Sequence, residues 1–350
     1  MKNKVILRLL LIAVFVFLVL TGLFVFTDMP NKNNNGFLRN LLGSKLSVLK
    51  ETDVVEPLNK IWSISGNYIY LSGETPKTIL MLKKDLSSKD TIGINLTAPE
   101  DKLVPYSICV DTPFLYIHMN NLKSVIWGKF PNHKLSMTEL KSQVFTKSVQ
   151  VSPASIVIRT FDRFGKKQIF QKISTVSGEV IKEADIVNGQ GDDLGMASDG
   201  ALHYEKSTRT ISYVEYFRNR FYLIDTNLNV KVFGKTIDTV SSIDVKKQTI
   251  DEGGGKGKII PGKARVKVNK DSFMDGAYLY IVSALRADNE NRSDFNAYSV
   301  IDRYRLADGK YSSSFYVDKV KEKPFKSAMV SGDTLFTLYS GKMVLYKLPK

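Results

Sequence analysis

From about residue 45 to the C-terminus the chain repeats one pattern. Short runs rich in Val, Ile, Tyr and Phe alternate with clusters of Gly, Asn, Asp, Ser and Lys. Runs of this composition bounded by turn formers read as β-strands, and no long amphipathic helical period interrupts them. They fall into units of four. The first unit is Lys60–Ser65, Asn67–Ser72, Thr78–Lys83 and Thr91–Leu96; the second is Val104–Val110, Pro113–His118, Ser124–Lys129 and Lys134–Leu140. The third starts near Thr146 and holds Ser155–Thr160 and Gln168–Ile173. Their aromatic strands begin roughly 45 residues apart, the period of propeller blades.

The fourth unit contains Leu202–Glu205, Ile211–Tyr216, Phe221–Thr226 and Val230–Thr236, with Asn227–Asn229 as a hairpin turn. The fifth, stretched by an insertion, keeps Ala277–Ser283, Tyr298–Arg305 and Tyr311–Val317, its last pair joined at Ala307, Asp308 and Gly309. The sixth has only Ala328–Ser331, Thr334–Tyr339 and Lys342–Leu348, whereas Lys45–Glu56 is a surplus strand ahead of the first unit. Placing the surplus strand in the gap closes a ring and removes both open sheet edges. The expected fold is therefore all-β, a six-bladed β-propeller over residues 45–350, with a β-sandwich or two smaller β domains as the alternative.

Upstream, Leu9–Phe26 is apolar throughout except for Thr21 and Gly22. At 1.5 Å per residue it spans about 27 Å, enough to cross a bilayer. The apolar core of a cleaved signal peptide is shorter, about 7 to 15 residues, and such a peptide is the alternative. Lys2, Lys4 and Arg8 flank the run on one side and Thr27, Asp28, Met29 and Pro30 on the other. The positive-inside bias then puts the N-terminus in the cytoplasm. Residues 1–30 are expected to form a signal anchor with a transmembrane helix at about 9–26. It would hold the C-terminal domain on the extracytoplasmic, periplasmic side of the cell (inner) membrane. Residues 31–44, opening with Asn31–Asn35 and Gly36, read as a polar linker.

Setting Lys2, Lys4 and Arg8 aside from the formal net charge of +15 leaves +12 on the remainder. A basic domain favours lipid headgroups, acidic glycans or phosphorylated ligands. Nucleic acid fits the charge but not the topology, and is not expected as a partner. Cys109 is the only cysteine, which excludes an intramolecular disulfide.

Three segments carry a resemblance: Lys147–Asp162 (KSVQVSPASIVIRTFD), Gly200–Thr239 and Ser299–Val317. They resemble uncharacterised bacterial membrane-anchored proteins of the six-bladed, TolB-like propeller type, over most of the chain after residue 45. The resemblance implies fold and envelope location and supplies no catalytic residues.

In a propeller the loops joining the second and third strands of each blade gather on one face around the channel. Here they offer Glu74 and Lys77; His118, Asn120, Asn121 and Lys123; Arg159, Asp162, Arg163 and Lys166; Arg218, Asn219 and Arg220; Arg286, Asp288, Asn289, Glu290 and Arg292; and Tyr339 with Lys342. Guanidinium forks suit carboxylate or phosphate recognition. His118, Arg159, Asp162, Arg163, His203, Arg218, Arg220 and Arg286 are therefore the candidate ligand-binding residues, set against the plainer reading of solvated loop tips.

The insertion at about 242–270 carries Lys246, Lys247, Lys256, Lys258, Lys263, Arg265, Lys267 and Lys270, and Gly253, Gly254, Gly255 and Gly257 read as a flexible basic arm. Within it Gly257–Ala264 copies the spacing of a phosphate-binding loop, but Ala264 stands where Ser or Thr must hold magnesium. His118, His133 and His203 show no metal-ligand spacing, and Asp192, Asp193 and Asp199 lack that of a calcium loop. No metal or cofactor is expected. The function anticipated is a membrane-tethered binding or scaffold module for an envelope protein, a peptide or a glycan, or for another anionic ligand. The alternative is a hydrolase or lactonase-like enzyme at the channel mouth, near His118, Arg159, His203 and Arg218.

Overall fold

The computed structural model describes residues 2–27, 35–43, 45–55, 57–96, 99, 102–130, 135–187, 195–242, 247–251, 257–261 and 266–349. Helix α1 spans Lys2–Thr27, and its side chains from Leu10 to Leu20 are exposed. Side chains of α1 are described for Ile6, Arg8 and residues 10–22. Among the described residues no helix is long and apolar enough to cross a membrane.

Strand β1 (Val48–Asp53) precedes the first blade, which is β2 (Lys60–Ser65), β3 (Tyr68–Ser72), β4 (Thr78–Lys83) and β5 (Lys89–Gly93). Blade two is β6 (Tyr106–Asp111), β7 (Phe114–Met119), β8 (Ser124–Lys129) and β9 (Ser136–Glu139). Blade three is β10 (Phe145–Ser152), β11 (Ser155–Phe161), β12 (Gln168–Ser174) and β13 (Val180–Ala184). Blade four is β14 (Gly200–Glu205), β15 (Thr210–Glu215), β16 (Arg220–Asp225) and β17 (Val230–Lys235). A separate hairpin, β18 (Lys247–Asp251) and β19 (Gly257–Pro261), follows. Blade five is β20 (Asn269–Asp275), β21 (Tyr278–Ser283), β22 (Tyr298–Arg305) and β23 (Tyr311–Asp318), with the short helix α2 (Arg292–Ala297) before β22. Blade six is β24 (Ser327–Ser331), β25 (Thr334–Tyr339) and β26 (Lys342–Lys347), completed by β1.

Each blade is an antiparallel four-stranded meander, and each first strand touches the first strands of both neighbouring blades. The result is a closed ring of six blades. As the sequence implies, β1 fills the gap in blade six, with Glu51 opposite Val344 and Asp53 opposite Lys342. The core is divided in the same way. Six apolar clusters each join two adjacent blades, for example Val151, Phe170, Tyr213 and Tyr222 between blades three and four, or Val54, Leu71, Leu338 and Met343 between blades six and one. Burial of this kind, about 25 cal/mol per Å² of apolar surface, is what holds a propeller together laterally.

Gly66, Gly276 and Gly332 each take the first position of a two-residue turn between first and second strands, with φ of 57°, 57° and 63°. Tight hairpins need this left-handed backbone, which glycine adopts without a Cβ penalty.

Three expectations change in detail. The stretch read as a polar linker is tied to blade five over residues 35–42: Asn35 and Gly36 donate backbone N–H groups to Asp288, Phe37 is buried, and Leu42 bonds Ser314. The basic arm, read as lacking regular structure, contains the paired strands β18 and β19. Gln248, Thr249 and Ile250 face Ile260, Ile259 and Lys258 in register, so β-forming residues flank the glycines and set the pairing. The end of that arm is also the start of β20, the first strand of blade five. Lys246, Lys256, Lys263, Arg265, Asp192, Asp193 and His133 lie outside the described residues, as does the end of the phosphate-loop mimic.

Candidate functional site

The six first strands enclose a central channel of about 570 Å³. Strand pairing fixes which groups share each end. Lys60 lies opposite Ser72, Gly200 opposite Glu215 and Asn269 opposite Ser283, so the starts of first strands and the loops after second strands occupy one face. At the other end Lys206 donates to both carboxylate oxygens of Asp111 at 2.8 Å, linking blade four to blade two. The channel lining runs from Lys60 and Asp271 at the loop end to Pro153 and Arg209 at the end that the exposed Lys206–Asp111 pair spans; the loop end is the mouth.

Each first strand carries a polar residue within its first four positions, Lys60, Ser107, Lys147, His203, Asp271 and Ser327, and all of these but Lys147 line the channel. Lys60 lies over the Trp62 ring, 4.4 Å from its centroid, and Trp62 packs on Tyr106 and donates Nε1–H to Ser72. Lys147 and Lys267 both lie over the Tyr216 ring, at 5.2 and 4.5 Å. Tyr216 follows β15, where the backbone turns to receive bonds from Val268 and Asn269. His203 Nε2 stands 3.9 Å from Asp271 Oδ1 and has no hydrogen-bond partner among the described residues. Although Lys60 opens on the lumen, burial by the surrounding strands lowers its pKa; Asp271 opposes this and Lys147 adds to it. Burial likewise brings His203 down to about 4, with Asp271 opposing and both lysines assisting. His203 is therefore a neutral imidazole at neutral pH, able to donate or accept.

The eight residues named from sequence separate clearly. His203 belongs to the mouth. His118 lines the channel wall, fully enclosed, with Ser107 and Ser148 hydroxyls at Nδ1 and Gln150 at Nε2. Arg159 is buried and bonds Ser198, the Gly195 carbonyl and Asp199 beneath the mouth. Arg218 is buried against Glu215. Asp162 caps its own loop by accepting from the Lys166 and Lys167 amides, and Arg163 covers Phe164 at an exposed tip. Arg220 reaches the Ser241 carbonyl and Arg286 the Glu290 carbonyl. The loop arginines thus mostly brace loops. The residues missed were Lys60, Lys147, Tyr216 and Asp271, while Lys267 had been counted with the basic arm. The available signal was a polar residue near the start of each first strand, the strand that lines the channel in a propeller.

Among the described residues no group of three or more His, Cys, Asp or Glu is arranged to hold a metal ion. Cys109 also lines the channel. Burial and Asp111 raise its thiol to about 12, so it is a poor nucleophile.

No protein-family model and no curated protein matches the chain. Among solved structures, a DUF4221 family member from Bacteroides vulgatus is similar with a TM-score of 0.54 and 12% identity, over 86% of this chain and 97% of that one. A putative exported protein from Bacteroides fragilis gives 0.49 and 8% identity, over 90% and 95%. At 12% identity the first likeness speaks for the fold alone.

Proposed function

We propose that the chain is a membrane-tethered, extracytoplasmic propeller of the TolB-like type that binds an envelope protein, peptide or glycan at its channel mouth. The observation that carries this reading is the mouth itself. It sets Lys60 over Trp62, and Lys147 and Lys267 over Tyr216, at the loop end of a channel that Lys206 and Asp111 span at the other end. Folds of this kind host both binding and catalysis. Binding is favoured over a hydrolase or lactonase because two of the residues an enzyme would have used are engaged within the protein: Arg159 is buried on Ser198 and Asp199, and Arg218 pairs with the buried Glu215.

The tether rests on Leu9–Phe26, an apolar run whose described side chains are exposed and join none of the six clusters. From Thr27 to Asn35 the chain extends at most about 29 Å. Asn35 bonds Arg286, Asp288 and Thr239 on the loop face, so in this reading the mouth is held near the bilayer.

The test uses the full chain in a bacterial host, with a photo-crosslinking residue replacing Lys166 on the loop face or Thr208 at the bridged end. Adducts confined to Lys166, and a C-terminal reporter active outside the cytoplasm, are expected. A cytoplasmic reporter, or no adduct at Lys166, would sink the proposal.

A further inference from the structure

We propose that the mouth of the channel is a site for a small oxyanion, a phosphate or carboxylate group held by Lys60, Lys147 and Lys267 with His203 below it. This rests on the reading of the mouth as the binding surface and names the chemistry it selects.

Lys60 of blade one lines the channel, while Lys147 of blade three and Lys267, in the lead into blade five, lie outside its lining. Lys147 and Lys267 lie on the same Tyr216 ring, and the charge of Lys147 bears on both Lys60 and His203. Their counter-charge is thin. Asp199 is divided between Lys147 at 3.5 Å and the buried Arg159 at 3.4 Å. Asp271 lies 3.9 Å from the neutral His203. Neither Lys60 nor Lys267 has a carboxylate within 4 Å among the described residues. Among the described residues the three lysines thus share Asp271 and that part of Asp199 which Arg159 does not engage.

Gathering like charges in a partly enclosed space costs energy that an incoming anion recovers, because attraction between opposite charges strengthens where the effective dielectric falls below that of water. Lysines act here as point charges that tolerate phosphate or carboxylate geometry alike. His203 supplies direction. Its Nε2 is buried without a partner, and such atoms are rarely left unpaired. A neutral imidazole in the Nε2–H tautomer donates one hydrogen bond to an anionic oxygen without adding charge. The channel volume of about 570 Å³ falls in the range of small-ligand sites.

The experiment is titration calorimetry on the full chain in neutral detergent at low ionic strength, with inorganic pyrophosphate and, separately, with citrate. One-site binding of at least one anion is expected. Lys60→Met and Lys147→Met should each weaken it about tenfold or more, and His203→Phe severalfold. Lys129→Met, an exposed lysine on blade two, should leave it unchanged. Lys60→Arg should retain most of the binding, which separates loss of charge from loss of fold. Binding of pyrophosphate alone identifies a phosphate site, and of citrate alone a carboxylate site. No binding of either, or equal loss with Lys129→Met, overturns the proposal. Adducts at Lys166 without anion binding would reject the oxyanion site and leave the binding reading standing; anion binding without adducts would do the reverse.

Discussion

Arg39 grips Asp302 from 263 residues away with two parallel bonds, Nε to Oδ1 at 2.8 Å and Nη2 to Oδ2 at 3.1 Å. Its Nη1 also reaches Glu290 and the Leu285 carbonyl. The guanidinium is fully enclosed. Burial works against its charge, and Asp302 and Glu290 more than offset that, raising its pKa above the usual arginine value. One side chain thus rivets the segment from residue 35 to residue 42 onto blade five.

Replacing that rivet tests how far the segment belongs to the propeller. Arg39→Met leaves two buried carboxylates without their cation and should cost about 3–5 kcal/mol, read as a lower denaturant midpoint. Arg39→Lys should recover only part, because an ammonium cannot make the paired bonds. Adding Glu290→Gln and Asp302→Asn to Arg39→Met should restore much of the loss. An unchanged midpoint in Arg39→Met would mean the segment is dispensable.

Closure of the ring gives a second expectation. Strand β1 covers the edge of β26, with further bonds from Val54 to Gly341 and from Lys347 to Ser47. Deleting residues 47–54 exposes the Lys342–Lys347 edge, which holds buried Met343, Val344, Leu345 and Tyr346. An unpaired edge of that composition recruits other chains. The deletion variant should aggregate at concentrations where the intact chain stays monodisperse by light scattering, and equal monodispersity would contradict the closure argument.

Much of this architecture was legible because blade patterning is local. Thr78–Lys83 and Ser124–Lys129 fall where composition puts them, and the gap in the sixth unit with a surplus strand upstream implies closure. The tie of Asn35–Leu42 was hidden for a physical reason. Its partners Asp288, Asp302 and Ser314 lie more than 240 residues away, and no local periodicity marks a segment held by ion pairs. The site was half legible for a related reason. Charge type suggested an anion-binding face, but Arg159 and Lys147 differ in burial, and that depends on loop packing which sequence spacing does not encode. Lys60, on a first strand, lines the lumen, whereas the buried loop arginines fold back onto carboxylates and carbonyls.

His118 provides the pH test. Gln150 donates its amide to the Ser152 carbonyl and to Thr175 Oγ1, so its Oε1 is left to accept from His118 Nε2–H, and Nδ1 then accepts from the Ser107 and Ser148 hydroxyls. This network suits the neutral ring only. Burial lowers the His118 pKa to about 4, the Gln150 bond opposing, against 6.5 for an ordinary histidine. With the folded value below the unfolded one, the unfolded chain takes up the extra proton first. The stabilisation is complete above about pH 6.5 and is lost as pH falls toward 4, a swing of about 3 kcal/mol for this residue. His203 acts in the same direction. The denaturant midpoint of the intact chain should therefore drop steeply from pH 6.5 to 4. His118→Gln should start lower at pH 7, having lost its hydrogen bonds, and fall with a shallower slope, because one of the two depressed imidazoles no longer titrates. Parallel slopes in the two proteins would show that His118 is not held neutral by the fold.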